Sequence, residues 1–168
     1  MTTPITRRTV SAALAALAVT VLAACGTDTA SPRAATDPVT VTALSGAPVT
    51  VPSGKPTAMF FFSVGCGECV GGAKSLSQAA RQLGDTAAFV LVDMDPAEPA
   101  QVVTDFQQQT GTDTVPAVID TDATLTKRYS VAALSTLLVV DPGGAVAYRA
   151  ADPSADQITA ALAKAGDR

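Results

Sequence analysis

Two cysteines three residues apart, Cys66 and Cys69, carry the clearest chemistry in this sequence. The stretch Cys66-Gly67-Glu68-Cys69 closes an apolar run, Ala58-Met59-Phe60-Phe61-Phe62-Ser63, and opens an amphipathic pattern that predicts a helix as far as Leu83. At a helix start two thiols at this spacing can reach each other's sulfur, and the helix's unpaired N–H groups and dipole favour a thiolate on the first. Cys66 is therefore the candidate nucleophile and Cys69 its resolving partner. Glu68 works against this, because a nearby carboxylate disfavours a thiolate by about as much as the dipole favours it. The plainer role for Glu68 is a solvated acid in the first helical turn.

Three other readings of the pair have to be weighed. A Cys-x-x-Cys is half of a zinc site, but zinc usually takes four ligands, and the chain has no His and one further Cys, Cys25. No resident metal is therefore expected. An inert surface disulfide, and capture of a soft metal or metalloid between the two sulfurs, stay open beside dithiol redox work. The missing His also removes His general bases, Cys/His nucleophile pairs and His-ligated copper sites.

The elements that must position the pair follow from a chain of 168 residues, long enough for one domain with appendages. Charged residues are 15%, Trp is absent, and the formal net charge is −4. The core should thus be Ala, Val, Leu and Phe, and an acidic surface should repel nucleic acid, so no such partner is expected. Residues 1–24 read as a targeting segment: Arg7 and Arg8 precede an Ala-rich apolar run too short to span a bilayer well. That run ends in Leu22-Ala23-Ala24-Cys25, which resembles the lipobox of bacterial lipoproteins, where the Cys carries lipid and becomes the mature N-terminus. The alternative is plain secretion, which would leave Cys25 as a free thiol in an oxidising compartment. Two or more acyl chains would hold the protein on a membrane. Arg7-Arg8 also admits twin-arginine export, though Thr9-Val10 matches it weakly. Residues 25–38, rich in Thr, Ala, Ser, Pro and Asp, read as a flexible tether.

From Val39 the pattern is that of a folded domain, 39–168. Val39–Leu44 and Val49–Val51 alternate around Ser45-Gly46-Ala47-Pro48, which predicts a short hairpin. The continuous run Ala58–Ser63 should be a strand covered on both faces. Helix residues Val70, Ala73, Leu76, Ala80 and Leu83 share a face, with Gly84 as the C-terminal cap. A strand at Ala87–Val92 then implies a right-handed parallel crossover. Asp93 and Asp95 read as turn and cap residues rather than proton relays, Val102, Val103 and Phe106 mark a helix ending near Gly111, and Val115–Ile119 is a further strand. Asp120–Tyr129 reads as a connector with a turn of helix. Thr136–Val140 should pair with Ala145–Arg149 through Asp141-Pro142-Gly143-Gly144. The capping box Ser154-Ala155-Asp156-Gln157 starts a last helix with Ile158, Ala161, Leu162 and Ala165 inward.

With these elements in order, residues 39–165 resemble the thioredoxin fold, and most of all its membrane-attached, extracytoplasmic TlpA/ResA-like branch. Matching stretches are Leu44–Val49, Gly54-Lys55-Pro56, Val115–Asp120, Tyr129-Ser130-Val131 and Thr136–Asp141. The resemblance implies an α/β fold: a central mixed β-sheet flanked by helices, with an N-terminal β-hairpin. It implies a thiol–disulfide oxidoreductase on the outer face of the cell membrane, lipid-anchored through Cys25 and acting on protein disulfides or dithiols. No NAD or flavin motif is present, so no cofactor is expected and electrons would come from a membrane donor. The family also carries a cis-proline facing the dithiol, in a loop that meets the substrate and helps keep metals away. Here the loop is Leu134-Ser135-Thr136, with Ser135 in the proline's place. A cis bond before Ser would cost ~2.5–4 kcal/mol, so a trans bond is expected, and soft-metal capture becomes less implausible. A rival register would put the proline at Pro116 but leaves Tyr129–Arg149 unexplained. Two further departures are Gly65 where Trp is common, and Val70-Gly71-Gly72-Ala73 where acidic and proline residues often follow the second Cys. A buried carboxylate serving Cys69 is thus not evident in the sequence. Cytochrome maturation, a role of some relatives, would be analogy at the level of fold.

Overall fold

The apolar run before the cysteines becomes the middle strand of a five-stranded sheet in the computed structural model, which describes residues 37–168. The segment 1–24, nearly all of the tether and Cys25 lie outside the described residues. In chain order the elements are β1 (Val39–Thr42), β2 (Pro48–Val51), β3 (Thr57–Phe62), α1 (Cys69–Leu83), β4 (Ala88–Asp93), α2 (Ala100–Thr110), β5 (Ala117–Ile119), α3 (Thr124–Arg128), β6 (Thr136–Val140), β7 (Val146–Ala151) and α4 (Ala155–Gly166). The sheet runs β5-β4-β3-β6-β7, with β1 and β2 forming a separate antiparallel hairpin. Strands β3, β4 and β5 are parallel; β6 is antiparallel to β3, and β7 to β6. This is the predicted mixed α/β architecture, hairpin included.

Every residue of β3 is buried, because the sheet is covered on both faces. Side chains alternate across a strand. Accordingly, Ala58, Phe60 and Phe62 join a core with Ala73 and Leu76 of α1, Val103 and Phe106 of α2, and Ile158 and Leu162 of α4. Met59 and Phe61 point the other way, into a second core closed by Leu125 of α3, Tyr129, Val131 and Val51 of the hairpin. Phe62 stacks on Phe106 with centroids 4.9 Å apart, which ties α2 to the end of β3. Among the described residues no helix is long and apolar enough to cross a membrane.

Several boundaries differ from the sequence expectation, each for a local reason. Strand β5 begins at Ala117 rather than Val115, since the Val115 N–H is used by the Thr112 carbonyl and Pro116 has none to give. Strand β7 runs on to Ala151 because Ala150 and Ala151 pair with Leu137 and Thr136. In α1 it is Ala79, not Ala80, that is fully buried, and in α2 Val102 stays exposed while Val103 and Phe106 go inward. The predicted capping box is present: Ser154 Oγ accepts from Gln157 N, and Gln157 Oε1 accepts from Ser154 N.

Candidate active site

The parallel crossover places the Cys pair where a strand gives way to a helix. After Phe62 the chain makes one turn, with Cys66 N donating to Ser63 O (3.1 Å) and Cys69 N to Cys66 O (3.0 Å). Helix α1 then starts at Cys69, with exposed Glu68 as its N-cap and no side-chain capping bond. Cys66 and Cys69 form a disulfide with Cα atoms 5.4 Å apart. The two sulfurs are not equivalent. Cys66 is partly exposed, whereas Cys69 is 0% exposed and packed into the core below α1. An incoming thiol or disulfide can therefore reach Cys66 and not Cys69, which suits the nucleophile and resolving roles expected from their order.

Ser135 is brought to the same end of the sheet. Thr136 is paired with Phe61 in β3, so Ser135 stands one step further along, beside the strand end that leads to Cys66. Pro116 precedes β5, two strands away from β3 at the sheet edge, and faces outward. The one cis peptide bond among the described residues precedes Pro52, so the bond before Ser135 is trans, and Ser135 adopts a left-handed φ of +59°. Its neighbours in the loop differ in exposure: Leu134 is 40% exposed, Ser135 is buried, and Thr136 is half-buried with its hydroxyl on Ala133 O.

Three acidic residues join this end of the molecule. Ser135 Oγ donates to Asp152 Oδ1 (2.7 Å), and Asp152 N donates to Ser135 O (3.1 Å). A Cβ built on Gly72 would lie 3.1 Å from that Asp152 oxygen, so the carboxylate sits over α1 one turn beyond Cys69. Gly72, having no side chain, thus leaves room for a carboxylate supplied by the β7–α4 connection. The other two are Asp93 and Glu98. Asp93 makes the turn bond read from the sequence, accepting from Asp95 N (3.0 Å), but it is also fully buried, because the β4 strand continues through it and pairs it with Phe62. Asp95 also behaves as a turn residue, accepting from Ala97 N. Glu98 reaches back across the loop and accepts the Val64 N–H with both oxygens, at 2.9 and 3.0 Å. No local sequence signal marks these acids, since their partners lie 17 to 34 residues away.

A cleft of about 510 Å³ lies at the opposite end of the parallel strands, lined by Thr57, Arg81, Asp85 and Phe89 among others, and neither Cys66 nor Cys69 borders it. No cluster of three or more His, Cys, Asp or Glu that could hold a metal ion occurs among the described residues.

Comparison with known proteins matches residues 54–146 to the family described as thioredoxin-like. The mercury resistance operon ORF3 product of Streptomyces lividans is 55% identical over 130 residues, which is 76% of this chain and 69% of that protein. A secreted Mycobacterium tuberculosis disulfide oxidoreductase homologous to E. coli DsbE superposes with a TM-score of 0.63 at 24% identity, over 75% of this chain and 95% of that one. StoA from Bacillus subtilis gives a TM-score of 0.67 at 21% identity, over 76% and 98%. At these identities the two structures speak for the fold.

Proposed function

This chain belongs to the thioredoxin-like family, and from that premise we propose that it is a lipid-anchored thiol–disulfide oxidoreductase acting on proteins outside the cytoplasmic membrane. The observation that carries the activity is the asymmetry of the pair, Cys66 reachable and Cys69 enclosed at the end of the central strand. In the reduced protein the Cys66 thiolate attacks a substrate disulfide; a mixed disulfide forms and the first substrate thiolate leaves. Cys69 then gives up its proton and attacks the Cys66 sulfur, closing the Cys66–Cys69 disulfide and releasing the second substrate thiolate. Two electrons have passed to the client, whose two thiolates take one proton from Cys69 and one from solvent. A membrane donor restores the dithiol. Leu134, Ser135 and Thr136 form the loop that meets the client chain, with exposed Leu134 as its apolar contact. Lipid on Cys25 keeps the domain near that donor.

The test is a trap. With Cys69→Ser the second step is blocked, so mixed disulfides between Cys66 and client proteins should accumulate and vanish on reduction. A clean non-reducing gel from cells expressing the variant would sink this reading.

A second reading has a specific observation behind it: the 55%-identical relative comes from a mercury resistance operon. Two thiolates at one helix start suit a soft cation as cargo, and Ser135 removes the proline that helps keep metals off a family dithiol. In this reading the reduced pair binds mercuric ion without turnover. Mercury retained by the reduced full chain should drop to background in Cys66→Ser and Cys69→Ser; equal retention without the cysteines rules it out.

A further inference from the structure

Where β3 turns into the Cys66 segment, the fold places two carboxyl groups that the exchange steps above do not use. The first is Asp93, the last residue of β4. It pairs with Phe62, and the next amide, Met94 N, donates to Phe62 O at 2.8 Å. Its side chain is 0% exposed. Oδ1 accepts from Asp95 N at 3.0 Å, and Oδ2 is enclosed with no N–H or O–H group to satisfy it. The second is Glu98, held over the same place with both oxygens on Val64 N. Val64 is the second residue past β3 and the second before Cys66. A part-buried amide at that point needs an acceptor, and a carboxylate gives the strongest kind of hydrogen bond available to it. Glu98 is thus the anchor of the turn that presents Cys66.

Burial, first, and then the neighbouring Glu98, as hydrogen-bonding partner and as charge, push Asp93 up to about 7; the charge of Asp95 adds to the rise and the Asp95 N–H opposes it. Among the described residues, no cation is found among the groups that act on Asp93. From α2 comes the Phe106 ring, stacked on Phe62. From the start of the α3 connection comes Asp120, whose N–H donates to Asp93 O at 2.9 Å while its carboxylate turns away to the amides of Leu125 and Thr126.

We propose that Asp93 and Glu98 are positioning residues for the dithiol, a carboxyl–carboxylate pair that keeps the Val64 amide docked and so fixes the turn carrying Cys66. While Asp93 is neutral it can donate its O–H to the Glu98 carboxylate, and Glu98 keeps its hold on Val64. Once Asp93 ionises, two like charges face each other in a place without a cation, Glu98 is pushed off, and the Ser63–Cys66 turn loosens. One proton, moving between Asp93 and solvent, is all that changes. The proposal deepens the oxidoreductase reading by naming what sets the pH at which Cys66 is well presented, but its test does not need turnover.

The experiment uses the full chain in detergent and follows two signals against pH. In the oxidised protein the Val64 amide resonance should move with a midpoint near pH 7. Asp93→Asn, which keeps the shape and removes the titration, should abolish that midpoint. Glu98→Gln, which keeps an acceptor for Val64 and removes a charge, should move it to lower pH. In the reduced protein the rate of Cys66 alkylation by iodoacetamide should show an inflection near pH 7 beyond the thiol's own, and that inflection should be lost in Asp93→Asn. A Val64 midpoint unchanged in Asp93→Asn, or absent from the wild type, overturns the proposal. So does an alkylation profile of Asp93→Asn that superimposes on the wild type. A failed Cys69→Ser trap alongside the expected Val64 behaviour would remove the oxidoreductase reading and leave this one standing.

Discussion

Gly72 is the residue on which packing around the dithiol turns. It lies on α1 three residues beyond Cys69, and a Cβ there would overlap the ring of Phe60, which is 0% exposed and has nowhere to move. Helix propensity alone argues that Gly72→Ala should gain ~1 kcal/mol. Overpacking a closed core costs ~1–3 kcal/mol, and here the obstacle is an aromatic ring in the middle strand, so the clash wins. We expect Gly72→Ala to lower the urea midpoint of the oxidised protein with an unchanged slope. A midpoint equal to or above the wild type would show that Phe60 yields. The same residue explains why Asp152 can come so close to the helix, since any side chain at position 72 would meet its carboxylate.

Among the elements, α4 shows most simply how a local signal translates into stability. Its N-terminus is closed by the reciprocal Ser154–Gln157 bonds, and its buried stripe of Ile158, Ala161, Leu162 and Ala165 covers the sheet face on which Cys69 is packed. Ser154→Ala removes the acceptor for Gln157 N and should cost about 1 kcal/mol. Urea unfolding of the variant measures it directly. The alkylation rate of Cys66 should stay at the wild-type value, because the cap sits on the β7–α4 connection and not on the β3–α1 turn. Helix α1 has no such cap: Glu68 occupies the N-cap position without bonding to the first amides. Its open N-terminus leaves the helix's partial positive charge directed at the cysteines.

For the molecule as a whole, the buried Asp93 ties stability to pH. Its pKa is about 7 in the folded protein against 3.8 for an ordinary Asp, so the folded state keeps a proton that the unfolded state gives up. Its contribution is therefore fully present below about pH 4, declines as pH rises toward 7, and is gone above that. Chemical unfolding at a series of pH values should show the wild type losing stability relative to Asp93→Asn between pH 4 and 7, with a constant difference above. A difference that does not change across that interval would mean that Asp93 ionises normally. The two-faced sheet gives this one group its reach, because a charge at the end of β4 lies in the layer shared by α1, α2 and the Cys66 turn.

The sequence by itself determined the class of fold and the Cys pair that the structure joins. Periodicity, turn chemistry and the continuous apolar run are local signals, and each was strong enough to place its element: the hairpin, β3, α1 and the capped α4 stand where those patterns put them. The Cys66–Cys69 disulfide was legible because it depends on a spacing of three and a helix start, both written in consecutive residues. What only the tertiary structure decided is which side chains gather around it. Asp93 makes the turn bond to Asp95 N that its residue type announces, but its burial was not legible. It is buried because β4 pairs one residue further, against Phe62. Glu98 meets Val64 across 34 residues, and Asp152 meets Ser135 across 17. Contacts of that separation are set by how strands register and how helices lie on the sheet, and no pattern within a short stretch of chain encodes them.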